Sequence, residues 1–248
     1  MQRYFVKEYH GEQFEISGED YHHITRVMRF KENDQLLCST LDGKTAICTI
    51  AEITDETVIA NVVKWVEETS ELPVAVTIAS GLPKGDKLEM VIQKGTELGA
   101  SMFIPFTAAR SIVKWDDKKS AKKVERWQKI AKEAAEQSHR SRIPTVESPI
   151  SFPLLIQASK SYDYKLIAYE EDAKHGEASV LANVFQQMQE GQSLLVVFGP
   201  EGGLTSTEVS QLKENGFQSC GLGPRILRTE TAPLYVLSAI SYHLELMR

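Results

Sequence analysis

LLVVFGPEGGLTSTE, residues 194–208, decides the fold. Its first five residues are an uninterrupted apolar run, the composition of a strand buried on both faces of a parallel sheet. A glycine-rich turn, residues 199–204, follows. Thr205 with Glu208 three positions on then forms a capping box, opening a helix that ends near Asn215-Gly216. The same alternation runs outward in both directions. Residues 74–80 and 102–106 predict strands, and 86–98 predict a helix with Leu88, Val91, Ile92 and Leu98 on one face. Residues 118–139 predict a long helix burying Val124, Trp127, Ala131 and Ala134. Then come a strand at 165–169, a helix aligning Val180, Leu181, Val184, Phe185 and Met188, and a strand-like segment at 217–222. A terminal helix at 231–247 has Pro233 in its first turn. Alternating strands and helices with apolar strands predict an α/β domain whose parallel sheet is covered on both faces.

The first 70 residues read differently. Short strands are expected at 3–7 and 13–17, and Ser17 with Asp20 can cap a helix through Val27. Alternating runs at 35–41, 45–53 and 57–66 follow, with Asp42-Gly43 as a two-residue hairpin signal between the first two. Short strands joined by tight turns predict a small barrel. The acidic stretch EETSELP at 67–73 breaks the pattern, which sets the expected domains at 1–72 and 73–248. The longest apolar run is five residues against the roughly 20 of a membrane span, so no spanning helix is expected. No secretory signal opens the chain, and Cys38, Cys48 and Cys220 fit neither a disulfide framework nor a zinc pattern. A reducing cytoplasm is the expected setting.

Of the 248 residues, 28 are Lys or Arg and 34 are Asp or Glu, giving a net charge of −6. That total conceals a polarity. Residues 1–72 carry 7 basic and 14 acidic side chains, whereas 110–142 carry 11 and 5. Phosphate binding depends on clustered cations rather than on overall charge, so this stretch is the candidate for nucleic-acid contact; a solvated helix face laced with pairs such as Glu125 and Lys129 is the alternative.

Ligands of open α/β sheets bind beyond the carboxyl ends of the strands. Two loops fall there: GPEGGL at 199–204, and GLGPRILRTET at 221–231, which joins flexible backbone to Arg228, Glu230 and a helix N-terminus. No Gly-Lys-Ser/Thr triplet follows Gly199, G-x-G-x-x-G is absent, and no G-x-S-x-G, H-E-x-x-H or C-x-x-C occurs. The adjacent His22-His23 reads as a polar helix edge rather than a metal pair, and His139, Lys94, Glu97 and Arg110 each read more readily as surface than as site. Spacing alone points to a nucleotide-like ligand without a triphosphate motif, near a basic helix.

At these residues the chain resembles the SPOUT class of S-adenosylmethionine-dependent RNA methyltransferases. VVFGPEGGLT at 196–205 and LGPRILRTETA at 222–232 carry the resemblance, and RYFV at 3–6, HHITRVMRF at 22–30, KGDKLEMVIQKGTELGA at 84–100 and AAEQSHR at 134–140 extend it over essentially the whole chain. Together they look like the RsmE family, which methylates N3 of a uridine in 16S ribosomal RNA. The resemblance implies a PUA-like β-barrel before a SPOUT domain with a deep trefoil knot, a homodimer, and the small ribosomal subunit or its RNA as partner, with no metal and no membrane. It implies a cofactor site at Gly199, Pro200, Glu201, Gly202, Leu222, Gly223, Ile226, Leu227, Arg228, Thr231 and Ala232, with Arg228 and Glu230 as candidate catalytic groups and Glu201 as another possible proton acceptor. Lys114, Arg140 and Arg142, near Gln137 and His139, with Arg26 and Arg29 in the first domain, are the candidate RNA contacts. A non-catalytic ribosome-assembly factor or a SPOUT enzyme acting on another RNA are the competing readings; without the resemblance, an enzyme of small nucleotides would be preferred.

Overall fold

The computed structural model describes residues 1–67, 70–112, 117–169 and 179–247. The chain forms two compact units, Met1–Glu71 with Lys132–Ile143, and Leu72–Ala131 with Pro144–Arg248.

The first unit is built on six strands: β1 (Arg3–Phe5), β2 (Glu8–His10), β3 (Gln13–Ser17), β4 (Gln35–Ser39), β5 (Thr45–Ile53) and β6 (Thr57–Val66). They form one sheet in the order β1-β4-β5-β6-β3-β2, antiparallel throughout except for β1 beside β4. No ladder joins β1 to β2 among the described residues, so the expected barrel is an open, curved sheet. Two register shifts in β5, after Ile47 and after Ile50, supply part of that curvature, because each bulge bends its strand. Alternate residues meet inside: Phe14, Ile16, Ile24, Leu36, Cys38, Cys48, Ile50, Val58 and Ala60 are all buried.

The turn at Asp42-Gly43 is longer than the sequence signal implies. Ser39 pairs with Thr45, leaving a five-residue loop in which Thr40 N–H donates to Lys44 O and Gly43 N–H to Thr40 O. The Asp42 carboxylate takes the Thr40 hydroxyl, a local bond that a strand register does not offer. After β3, α1 (Gly18–His22) runs into a π-helical turn, His23–Val27, and the Ser17 side chain makes no capping bond.

The basic stretch contributes its last part to this unit. Helix α3 (Asp117–Gln137) places Ala134 and Ala135 in the interior, and Lys132 donates to both Asp20 oxygens at 2.7 Å. Glu136 lies 3.5 Å from the same ammonium and accepts from Phe5 N–H at 3.4 Å. Arg140 is 3% exposed, and its guanidinium binds Glu71. Glu71 also accepts from the N–H groups of Ser141 and Arg142. Arg3, likewise buried, donates to Ser39, Thr45 and the Arg140 carbonyl.

The second unit is a parallel sheet of seven strands: β7 (Ala75–Gly81), β8 (Met102–Thr107), β9 (Thr145–Val146), β10 (Ile150–Ser151), β11 (Tyr164–Ala168), β12 (Ser193–Phe198) and β13 (Gln218–Cys220). The order is β10-β8-β7-β12-β11-β13, with β9 beside β8. The helices are α2 (Lys87–Glu97), the start of α3, α4 (Phe152–Ala158), α5 (Ser179–Gln187), α6 (Ser206–Glu214) and α7 (Thr231–Ser241). The short elements β9, β10 and α4 carry no periodic signal of their own, which is why the sequence does not announce them. β12 is buried from Leu194 to Phe198, as its composition requires. On one face Leu195 and Val197 meet Phe106, Leu155, Val209 and Leu212. The capping box is present: Thr205 Oγ1 accepts from Glu208 N–H, and Glu208 Oε2 accepts from Thr205 N–H. Gly95 of α2 abuts Phe103 of β8 and Leu237 of α7.

Burial pushes Glu136 up to about 7, against the opposing pull of Lys132 and with help from Asp20. The folded chain therefore holds a proton that the unfolded chain releases near pH 4.5, and stability falls as pH rises from there to about 7. A displacement of this size is worth at most about 3 kcal/mol. Glu136→Gln should remove that slope, so its stability relative to the natural protein rises between pH 5 and 7.5 in urea unfolding. A pH-independent difference would contradict the assignment.

Candidate cofactor site

Three neighbouring strands of the second unit stop in one row. Ala168 of β11 pairs with Phe198 of β12 on one side and with Cys220 of β13 on the other. Beyond that row lies a cavity of about 580 Å³, lined by all three residues and by Tyr169, the turn from Gly199 to Leu204, Leu222, Gly223, Arg225, Ile226, Leu227, Thr229 and Ala232. The strand order places it beside the point where successive strands diverge from β7, to β8 on one side and to β12 on the other.

Backbone packing shapes the first wall. A Cβ on Gly199 would sit 2.9 Å from the carbonyl carbon of Gly203 and from Leu204 N, so only glycine fits there. The turn closes through Gly203 N–H to Pro200 O, and Pro200 lies against Gly81 at the end of β7. Arg110, which reads as surface in the sequence, lines the cavity and donates from Nη1 to Gly202 O at 2.8 Å. Its loop is pinned by Glu208, which is 6% exposed and accepts from Ala109 N–H at 2.8 Å. The capping-box carboxylate thus serves helix α6 and a cavity wall at once.

The second wall is the segment from Leu222 to Ala232. Gly223 has φ +91°, a conformation side chains disfavour. Ile226 is 77% exposed. The Arg228 carbonyl accepts from the N–H groups of Thr231 and Ala232, folding the segment into the start of α7. Cys220, facing the cavity, is buried, which pushes its thiol up to about 12 and leaves no thiolate for covalent chemistry near neutral pH.

Nine of the eleven sequence-expected cofactor residues line the cavity: Gly199, Pro200, Glu201, Gly202, Leu222, Gly223, Ile226, Leu227 and Ala232. Arg228 and Thr231 do not; both are exposed beside it in the chain. Glu230 also lies outside the lining, and its Oε2 is buried without a hydrogen-bond partner. Glu201 Oε1 accepts from Lys87 Nζ at 2.7 Å and from Lys84 N–H at 3.1 Å. Burial raises the Glu201 carboxyl, but these bonds outweigh it and hold the group below the ordinary carboxylate range. Lys87 lies within the matched segment 84–100, but nothing in the sequence singles it out there; its bond to Glu201 does.

The RNA candidates separate. Arg26 and Arg29 are exposed in the first unit, flanking Val27 and Met28, which are also exposed, and Arg29 has φ 55°. Arg142 is exposed with its side chain against Gly43. Gln137 and His139 are exposed as well. Arg140 is a correction: it is buried and bonded to Glu71, so it ties the unit together instead of meeting phosphate. Lys114 lies outside the described residues. Of the helix cations, Lys123 and Arg126 pair with Glu89, and Lys132 with Asp20, which leaves less free charge than the residue count suggests. Among the described residues no group of three His, Cys, Asp or Glu could hold a metal ion, and no helix is long and apolar enough to cross a membrane.

A cavity outside the carboxyl ends of a parallel sheet, walled by two glycine-bearing loops, is where open α/β sheets bind ligands. The chain matches the family described as RNA methyltransferase domain over residues 70–241 and that described as RNA methyltransferase PUA domain over 16–63. It is 56% identical to the ribosomal RNA small subunit methyltransferase E of Bacillus subtilis, over 100% of this chain and 99% of that one. The protein of the same name from Synechocystis is 35% identical over 90% of this chain and 71% of its own length. A ribosomal RNA small subunit methyltransferase E from Neisseria gonorrhoeae, solved bound to S-adenosyl methionine, superposes with a TM-score of 0.85 at 28% identity, covering 97% of both chains. A Legionella pneumophila methyltransferase in complex with the same cofactor gives 0.80 at 28% identity, covering 96% of both. The fold is that of an RNA methyltransferase. The chain belongs to the ribosomal RNA small subunit methyltransferase E family.

Proposed function

We propose that the protein methylates N3 of a specific uridine in 16S ribosomal RNA with S-adenosylmethionine, acting on the small ribosomal subunit in the cytoplasm. The observation that carries this reading is the cavity formed by residues 199–204 and 222–232 at the ends of β11, β12 and β13. Its chemistry suits the cofactor. About 580 Å³ lies within the usual range for a small-molecule site, and apolar Phe198, Leu204, Ile226 and Leu227 alternate with bare backbone at Gly199 and Gly202. Bound there, S-adenosylmethionine supplies a methyl group on a sulfonium, for direct displacement that needs alignment more than covalent catalysis.

N3 of uridine carries a proton on its pairing edge, so the base must be unpaired and the proton removed. Glu230 or Glu201 would accept the proton, directly or through water; Lys87 Nζ lies 3.9 Å from the first carboxylate and 2.7 Å from the second. Arg228 is exposed beside the cavity and would stabilise negative charge on the uracil oxygens as that proton leaves. Thr231, at the start of α7, would close the pocket with Arg228.

We assign RNA binding to residues 1–72 together with 132–143, which fold into the same unit, and methyl transfer to the remainder of 73–248. Arg26, Arg29, Arg142 and Lys114 are the proposed phosphate contacts. The exposed Val27 and Met28 beside the first two support a surface of mixed character, which suits the shape reading of folded RNA. The protein is proposed to act as a homodimer with a trefoil-knotted second domain.

Labelled S-adenosylmethionine should mark small subunits from a strain lacking the gene, with one reverse-transcription stop at a uridine. Arg228→Ala should lower turnover on that substrate at least a hundredfold while changing cofactor affinity less than threefold. Equal losses in both would remove Arg228 from the chemistry, and labelling of another RNA alone would overturn the substrate. Replacing Arg26, Arg29 and Arg142 by Ala should weaken RNA binding and flatten its salt dependence, by about one unit of log–log slope for each phosphate that the variant no longer neutralises. An unchanged slope would show that these side chains do not meet phosphate.

A further inference from the structure

Beside the cavity two carboxylates gather on one cation. Lys87 opens α2, Glu201 belongs to the first wall of the cavity, and Glu230 lies in the second, between Thr229 and α7. The Lys87 ammonium donates to Glu201 Oε1 at 2.7 Å and lies 3.9 Å from Glu230 Oε2. All three are partly withdrawn from solvent, with side-chain exposures of 34%, 32% and 15%, so the attraction is less screened than at an open surface. The ammonium has three donors, and Glu230 Oε2 is a buried acceptor with no hydrogen bond. An approach of about 1 Å would give that oxygen a donor at ordinary hydrogen-bond length.

From this geometry we propose that Lys87 is a positioning residue that latches the two walls together through Glu201 and Glu230 and thereby sets affinity for the cofactor. Lys87 does not line the cavity; it acts through carboxylates on segments that do. α2 provides a fixed base for the latch, because Leu88, Val91 and Ile92 are buried. Without the cation, Glu201 and Glu230 would face each other across the junction with only the Lys84 N–H to hold one of them. The walls would then separate more readily, and binding would have to supply the energy that reunites them.

The inference rests on the cavity being the S-adenosylmethionine site, and the test separates the two claims. Binding of S-adenosylmethionine to the full-length protein is measured by calorimetry for the natural chain, Lys87→Met, Lys87→Arg, Glu201→Gln and the double variant Lys87→Met/Glu201→Gln, with thermal unfolding of each. Lys87→Met should raise Kd about tenfold at an unfolding midpoint close to that of the natural protein. Lys87→Arg should restore Kd to within threefold, and Lys87→Met should cost less than threefold further in the Glu201→Gln background, because a latch without its partner has nothing left to lose. An unchanged Kd in Lys87→Met, or full additivity in the double variant, would overturn the latch while leaving the cofactor site intact. A natural protein that binds no S-adenosylmethionine would overturn the site, and the latch with it.

Discussion

The site depends on three parallel strands ending in one row and on a glycine set immediately past the middle one. Ala168, Phe198 and Cys220 are hydrogen-bonded neighbours, and all three face the same cavity. Gly199 turns the chain so tightly that any side chain would strike the backbone of Gly203. That close approach lets the turn fold back into a wall and delivers Thr205 to the start of α6, where the capping box with Glu208 fixes the helix. Glu208 then reaches Ala109 and holds the loop that brings Arg110 to the rim. A single tight turn in the strand-to-helix connection thus organises the floor, one wall and part of the edge.

Much of this was legible in the sequence. The apolar run at 194–198, the capping box and the two glycine-bearing loops located both walls, because strand burial, helix capping and positive backbone angles each leave a local residue signature. Short elements such as β9, β10 and α4 left none, since two to seven residues are too few to show a period. Asp42-Gly43 suggested a tighter turn than the structure has: the Asp42 side chain bonds Thr40 and stabilises a longer loop. Lys87, inside the matched segment 84–100, and Arg110, read as surface, went without a role for another reason. Each acts through a partner roughly a hundred residues away, and such pairings are written only in three dimensions.

Charge was the least transferable signal. The stretch 110–142 is the basic concentration of the chain, yet several of its cations are matched to carboxylates. Lys132 meets Asp20, Arg126 meets Glu89, and Arg140 is buried on Glu71. The acidic residues of 1–72 serve in part as the counterparts of that stretch, which explains how a net-negative domain and a net-positive helix belong to one account. Counting charges along the chain cannot separate a cation that greets solvent from one already neutralised.

Two segments distant in sequence wall one cavity, and both should meet S-adenosylmethionine there. Amide hydrogen exchange with and without saturating S-adenosylmethionine tests it most directly. Slowed exchange is expected in both 199–206 and 221–232, at the same cofactor concentration, with the β-sheet of residues 3–66 unaffected. Protection confined to one of the two segments, or appearing in that sheet instead, would contradict it.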